Sequence, residues 1–173
     1  MRTFIAVEIP EEHKEKIKII QKQFSNLGNI NFTKDYHCTL KFLGEISSQH
    51  LEQVKEKLRK VKMKKFEASL EGLGAFPNES HINVIWIGIK GRLSELQQKI
   101  DSELADMFGK DERFKAHLTI GRVKSVKDKA AIKEKLKIKT EEMKFELKDF
   151  KLIKSTLTPE GPVYETLEVY TLG

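Results

Sequence analysis

Two histidines, His37 in DYHCTLKFLGE (residues 35–45) and His117 in KAHLTIGRV (residues 115–123), lie 80 positions apart. Each is followed by one residue, a threonine and an aliphatic residue. An imidazole titrates at about 6.5, so near neutral pH one ring can take up a proton while a second gives one away. Threonine hydroxyls can donate to the non-bridging oxygens of a bound phosphate. Two imidazoles and two hydroxyls around one phosphorus atom would suit a phosphodiester.

Both stretches are strand-like, and in a strand residues i and i+2 share a face. His37 therefore projects with Thr39, and His117 with Thr119. The alternate residues Cys38, Leu40 and Phe42, and on the second strand Leu118 and Ile120, are expected in the core. That places Cys38, the one cysteine, on the wrong face to be a nucleophile. Lys41 continues the His37 face and is expected to be solvated there, or else to meet phosphate; the residue 80 positions on is Gly121. Strict alternation sends Arg122 to the core side, unless a bulge near Gly121 or the end of the strand turns it round. Tyr36, beside the first motif, is expected to pack rather than to stack on a base.

The elements that must hold these residues recur in order. TFIAVEIP reads as a buried strand ended by Pro10, and residues 11–27 place Ile17, Ile20, Phe24 and Leu27 at helical spacing. HCTLKFLG is a second strand, stopped at Gly44. SSQHLEQVKEKLRKV is a helix capped by Ser47 or Ser48, with Leu51, Val54, Leu58 and Val61 along one stripe. KFEASLEGLGAF is a third strand, and FPNESH is a turn by composition.

The series then restarts. Shifted by 80, Phe4-Ile5-Ala6-Val7 falls on Val84-Ile85-Trp86-Ile87, and Ile20, Phe24 and Leu27 fall on Ile100, Leu104 and Met107. A helix over residues 126–137 takes the place of the one after the first motif, and KFEASL is answered by KFELKD at a shift of 79. The pattern predicts one domain of α+β class made of two duplicated lobes related by a pseudo-two-fold, with a cleft between them. The repeat halves run over about residues 1–78 and 79–156, with closing strands over 157–173. KDFKLIKSTL and VYETLEVYTL, joined by TPEGP, read as a final strand pair.

Composition bounds the reading. At 173 residues the chain suits a single domain. The net charge of +6 favours an anionic partner, although 34% of residues are charged and the lysines alternate with glutamates, as a salt-bridge-laced surface requires. No apolar run approaches the roughly 18 residues of a membrane helix, and MRTFIAVEIP is too short for a signal peptide. One cysteine precludes an internal disulfide, so a reducing, cytoplasmic setting is expected. There is neither a GxxxxGK[ST] nor a GxGxxG loop, and the usual zinc-ligand spacing is absent. His13 and His50, on lysine- and glutamate-rich helices, and His81, at a strand edge, are expected to be solvated.

At the HxT motifs the sequence resembles the two-histidine (2H) phosphoesterase superfamily, and within it the RNA 2',3'-cyclic phosphodiesterases formerly described as 2'-5' RNA ligases. The resemblance spans RTFIAVEIP, HCTLKFLGE, VIWIGI, HLTIGRV and STLTPEGPVYETL. It implies a bilobal α+β fold with antiparallel sheets facing each other across the cleft. It also implies hydrolysis of RNA 2',3'-cyclic phosphate ends to 2'-phosphomonoesters without metal or cofactor. His37 would be the proton donor and His117 the proton acceptor, with Thr39, Thr119 and Arg122 binding substrate. The implied partner is an RNA or oligonucleotide with such an end, tRNA fragments included, met by a cytoplasmic monomer away from membranes. Reversible 2'-5' joining of RNA ends, and a module that only binds RNA ends or nucleotides, are the alternatives.

Overall fold

Strand β1 (Arg2–Glu8) is buried along residues 3–7, on both of its faces, as expected of a strand with a neighbour on each edge and cover above and below. Pro10 ends it, and a single 3-10 turn (Glu11–His13) leads into α1 (Lys14–Lys22). There follow β2 (Gly28–Phe32), β3 (His37–Glu45), α2 (Ser48–Leu58), β4 (Phe66–Asn78) and β5 (His81–Lys90). The chain continues through α3 (Leu93–Phe108), β6 (His117–Val126), α4 (Lys129–Leu136), β7 (Met143–Leu147), β8 (Asp149–Thr158) and β9 (Gly161–Thr171). The structure is a computed structural model and describes every residue, Met1–Gly173.

Nine strands form two antiparallel sheets, one ordered β3-β1-β8-β9 and the other β2-β6-β5-β4-β7. The sheets do not coincide with the halves of the chain. β4 lies in the first half yet pairs with β5, while β8 lies in the second half yet pairs with β1. The cause is local: β4 and β5 are joined so tightly that they must form a hairpin. Its corner is set by Asn78, whose Oδ1 accepts the amides of Ser80 and His81 at 2.8 and 2.9 Å. KFEASL and KFELKD, similar in sequence, lie side by side in opposite directions, with Ala68 opposite Phe145. Helices also cross between halves, α1 packing on β6 and α3 on β3.

One continuous cluster of 37 buried apolar residues draws on both sheets and all four helices, so the sheets share a core instead of owning one each. A second, small cluster of Phe4, Ala6 and Ile153 lies on the other face of the first sheet. No helix is long and apolar enough to cross a membrane.

Several expectations need correction. The first helix ends at Lys22, not near residue 27, although Phe24 beyond it still enters the core. GNINF, too polar to announce a strand, forms β2 because β6 offers it an edge. Ser47 is the cap of α2, its Oγ accepting the His50 amide at 3.2 Å. Asp128 caps α4 by accepting the Ala131 amide at 3.0 Å, so that helix starts at Lys129 while β6 runs on to Val126. His13 is not solvated: it is buried, its Nε2 lies 2.7 Å from the Lys144 carbonyl, and its ring meets the Phe145 edge. A ring at the end of a helical turn that faces another strand has a backbone partner that composition does not reveal. His50 and His81 are exposed.

Candidate active site

β3 and β6, one from each sheet, lie against each other beneath a cleft of about 1360 Å³. His37, Thr39, His117, Thr119 and Arg122 all line it. The pleat accounts for the first four. His37 and Thr39 are partly open while Cys38 and Leu40 between and beyond them are buried, and His117 and Thr119 alternate in the same way with Leu118 and Ile120. Burial pushes the Cys38 thiol up to about 12, against the His117 backbone, so it is no nucleophile.

Beyond the threonines the alternation breaks, at the same place in both motifs. Opposite β3, Ala6 faces Thr39 but Ile5 faces Lys41, leaving Leu40 without a partner. Opposite β6, Trp86 faces Thr119 but Ile85 faces Gly121, leaving Ile120 without one. Each is a bulge, and a bulge sets two successive side chains on one side. Leu40 and Lys41 both turn inward, as do Ile120 and Gly121. The next residues, Phe42 and Arg122, turn to the cleft. The conflict over Arg122 is thereby resolved, while two expectations fail: Phe42 is 67% exposed and not in the core, and Lys41 is buried and not solvated.

Groups remote in sequence hold the second bulge open. The Ile120 carbonyl accepts from the Thr33 amide at 3.1 Å and from Gln21 Nε2 at 2.9 Å. Thr33 Oγ1 donates to the Thr119 carbonyl at 2.9 Å. Gln21 is fixed in turn by the buried Tyr36 hydroxyl, 2.8 Å away, so Tyr36 packs as expected. A side chain at Gly121 would crowd β2, because a Cβ there would lie 2.9 Å from the Ile30 Cγ2 methyl.

The two imidazoles have different surroundings. His37 lies 5.1 Å from Phe4 and 5.1 Å from the edge of Tyr164, measured between ring centroids. Burial lowers its pKa, the nearby Asp35 and Glu8 carboxylates pull it partly back up, and Arg122 presses it down. His117 Nδ1 lies 2.7 Å from the Lys115 carbonyl. A carbonyl only accepts, so Nδ1 carries the proton and Nε2 keeps its lone pair. Burial lowers the His117 pKa, the ring having Phe76 and Trp86 as neighbours; the Lys115 carbonyl opposes this, and the Lys115 and Arg122 charges add to it. Lys115 itself sits with Nζ 4.3 Å from the Trp86 ring centroid.

Alternation missed Phe42 and Tyr164, and it gave no reason to look at Lys115, Phe76 or Trp86. Tyr164 comes from β9, at the far end of the chain, and enters the cleft only because β8 and β9 complete the first sheet. The cleft gathers an imidazole with a free Nε2, an imidazole with acidic neighbours, and hydroxyls from both strands. Such a set suits acid–base chemistry on a phosphoester.

The chain is similar to known proteins over nearly its whole length. The family model described as LigT like Phosphoesterase matches the chain twice in succession, over residues 7–86 and 87–164. A protein of Archaeoglobus fulgidus named RNA 2',3'-cyclic phosphodiesterase is 38% identical over 98% of this chain and 99% of its own length. One of the same name from Methanocaldococcus jannaschii is 39% identical over 97% and 99%. The crystal structure of TT0787 from Thermus thermophilus superposes with a TM-score of 0.83 at 26% identity, covering 99% of this chain and 98% of that one. The chain thus belongs to the LigT-like phosphoesterases of the two-histidine superfamily.

Proposed function

We propose that the protein is a hydrolase that opens RNA 2',3'-cyclic phosphate ends to 2'-phosphomonoesters, with His117 as base and His37 as acid. The observation that carries the assignment of roles is the 2.7 Å contact of His117 Nδ1 with the Lys115 carbonyl, which leaves Nε2 as the ring's only acceptor. The name shared by the near-full-length relatives supports the substrate, and supports hydrolysis over end joining.

In this reading His117 Nε2 takes a proton from a water whose oxygen forms a bond to phosphorus, in line with the ribose 3'-oxygen. The bond from phosphorus to that 3'-oxygen breaks, and His37, entering as imidazolium, protonates the departing oxygen. Asp35 and Glu8 favour the cationic form of His37 that this requires. Thr39 and Thr119 donate to the non-bridging oxygens as charge builds there. Arg122 offers a guanidinium to the same phosphate, and the exposed Phe42 ring offers a face on which a base can stack. RNA fragments such as those of tRNA, met in the cytoplasm by a monomer, are the setting this reading gives the activity.

We also infer that the site arose by duplication within one domain, of halves over about residues 1–78 and 79–156, with residues 157–173 closing the first sheet. The matching bulges, at positions 80 apart, support it, as does the antiparallel pairing of KFEASL with KFELKD.

The test is to incubate the protein with a nucleoside 2',3'-cyclic phosphate in chelator and identify the product. A 2'-monoester, lost in both His37→Ala and His117→Ala, is expected. A 3'-monoester reverses the assignment of the leaving oxygen, and loss of activity in chelator places the chemistry on a metal. With 5'-hydroxyl RNA also present, accumulation of a 2'-5' linked product would favour joining.

A further inference from the structure

Beneath the cleft lies a charged cluster that the reaction as written does not use. Lys41 is 3% exposed, and its Nζ donates to Asp101 Oδ1 at 2.6 Å, to the Gly109 carbonyl at 3.1 Å and to Asp111 Oδ2 at 3.2 Å. These three acceptors match the three donors of an ammonium. Asp101 is 4% exposed, and its second oxygen accepts the Asp111 amide at 2.7 Å. Burial works to raise the Asp101 carboxyl, but hydrogen bonds from Lys41 and the Asp111 amide, with the neighbouring Gln97 amide and the Lys41 charge, outweigh it and hold the group below its ordinary value. Burying such a pair is costly, and apolar packing often stabilises as well or better. Its place in the fold shows what else it does.

Lys41 stands on β3, four residues after His37, and turns inward only because of the bulge at Leu40. Asp101 is on α3. Gly109 and Asp111 open the segment 109–116, which carries the chain without helix or strand from α3 to His117. That segment forms one wall of the cleft, through Lys110, Arg113 and Lys115 among others. Its far end is tied by the Ala116 carbonyl, which accepts the Ile89 amide at 3.2 Å. Its near end is tied by the Lys41 cluster. Between the two ties lies Lys115, whose carbonyl holds His117 Nδ1. A lysine on one motif strand thus anchors the segment that sets the histidine of the other. The counterpart position in the second motif, Gly121, has no side chain to do the same.

We propose that Lys41 and Asp101 are positioning residues for the reaction: their buried pair fixes segment 109–116 so that the Lys115 carbonyl keeps the His117 proton on Nδ1 and leaves Nε2 free. The inference rests on the two-histidine reading of the cleft. The charged groups facing His117 are Lys115, from the segment, and Arg122, from β6; Phe76 and Trp86, from β4 and β5, carry no charge.

The test uses the double variant K41M/D101L, which removes the pair without stranding a buried charge. ¹⁵N NMR at pH 8, with the His117 signals identified by their loss in H117A, reads the tautomer independently of turnover. The wild type is expected to show Nδ1 protonated. In the double variant the population should move toward the Nε2-protonated form, with kcat on a nucleoside 2',3'-cyclic phosphate falling about 10- to 100-fold, as for a small misplacement of a reacting group. A merely structural pair would change the unfolding temperature alone, so a folded double variant with wild-type tautomer and kcat overturns the proposal. Should that variant not fold, D101N, which leaves Lys41 facing Asp111, is measured by the same criterion. If the wild type converts no substrate, the functional reading fails, and the tautomer alone decides the role of the pair.

Discussion

Two imidazoles that differ in their neighbours make a pair with separable roles, and the difference is testable through pH. Burial lowers both His37 and His117. Since kcat/KM reports the free enzyme, its bell-shaped profile should have both limbs on the acid side of about 6.5, and the limbs of kcat should lie higher because bound phosphate favours imidazolium. The same shifts act on stability. The folded values lie below the unfolded value of about 6.5, so the unfolded chain binds more protons in that interval and stability falls as pH drops through the folded values. Thermal unfolding followed from pH 7.5 to 5 should therefore show a smaller acid loss in His37→Gln/His117→Gln than in the wild type. The hydroxyls give a second prediction at this scale. Thr39→Val or Thr119→Val removes one donor to a charge that grows in the transition state, so kcat should fall about 10-fold or more, with little change in KM. A change confined to KM would mean that the hydroxyls bind the ground state alone.

At the scale of elements the bulges decide the site. They turn Phe42 and Arg122 outward and Lys41 inward, against the period of two read along the chain. Alternation assigned His37, Thr39, His117 and Thr119 to one cleft face because no bulge precedes them, and it misplaced Phe42 and Lys41 because a bulge intervenes. Arg122 was legible only as a contradiction between its spacing and its chemistry. A neighbouring wall is similarly constrained. A Cβ at Gly74 would fall 2.1 Å from the Trp86 ring, which packs beside His117. Gly74→Ala should displace that ring, at a cost of about 1–3 kcal/mol as for other overpacked sites. Urea unfolding measures the cost, and because Trp86 is the single tryptophan, its fluorescence reports the displacement directly. An unchanged emission spectrum together with unchanged stability would show that β4 yields instead.

For the molecule as a whole, exchange of strands between halves binds the two sheets into one body. β1 needs β8 from the second half, β5 needs β4 from the first, and the core runs through both sheets. The halves 1–78 and 79–173, expressed separately, should therefore each lack a cooperative thermal transition by circular dichroism, since each would expose a sheet edge and half of a shared core. A cooperative transition in either half alone would show that the strand exchange is dispensable. The same exchange brings Tyr164 from the chain's end to His37.

Residue types, their spacing and the strand period are properties of the chain itself, so the sequence alone determined the paired HxT strands, the order of the elements other than β2, and the buried face of Cys38. A bulge belongs to two strands in register, not to either one, and a buried charge such as Lys41 is stable only where Asp101 comes to meet it. Those features, with the meeting of β3 and β6 and the strands traded between sheets, were decided by tertiary structure, because each depends on partners that lie tens of residues away along the chain.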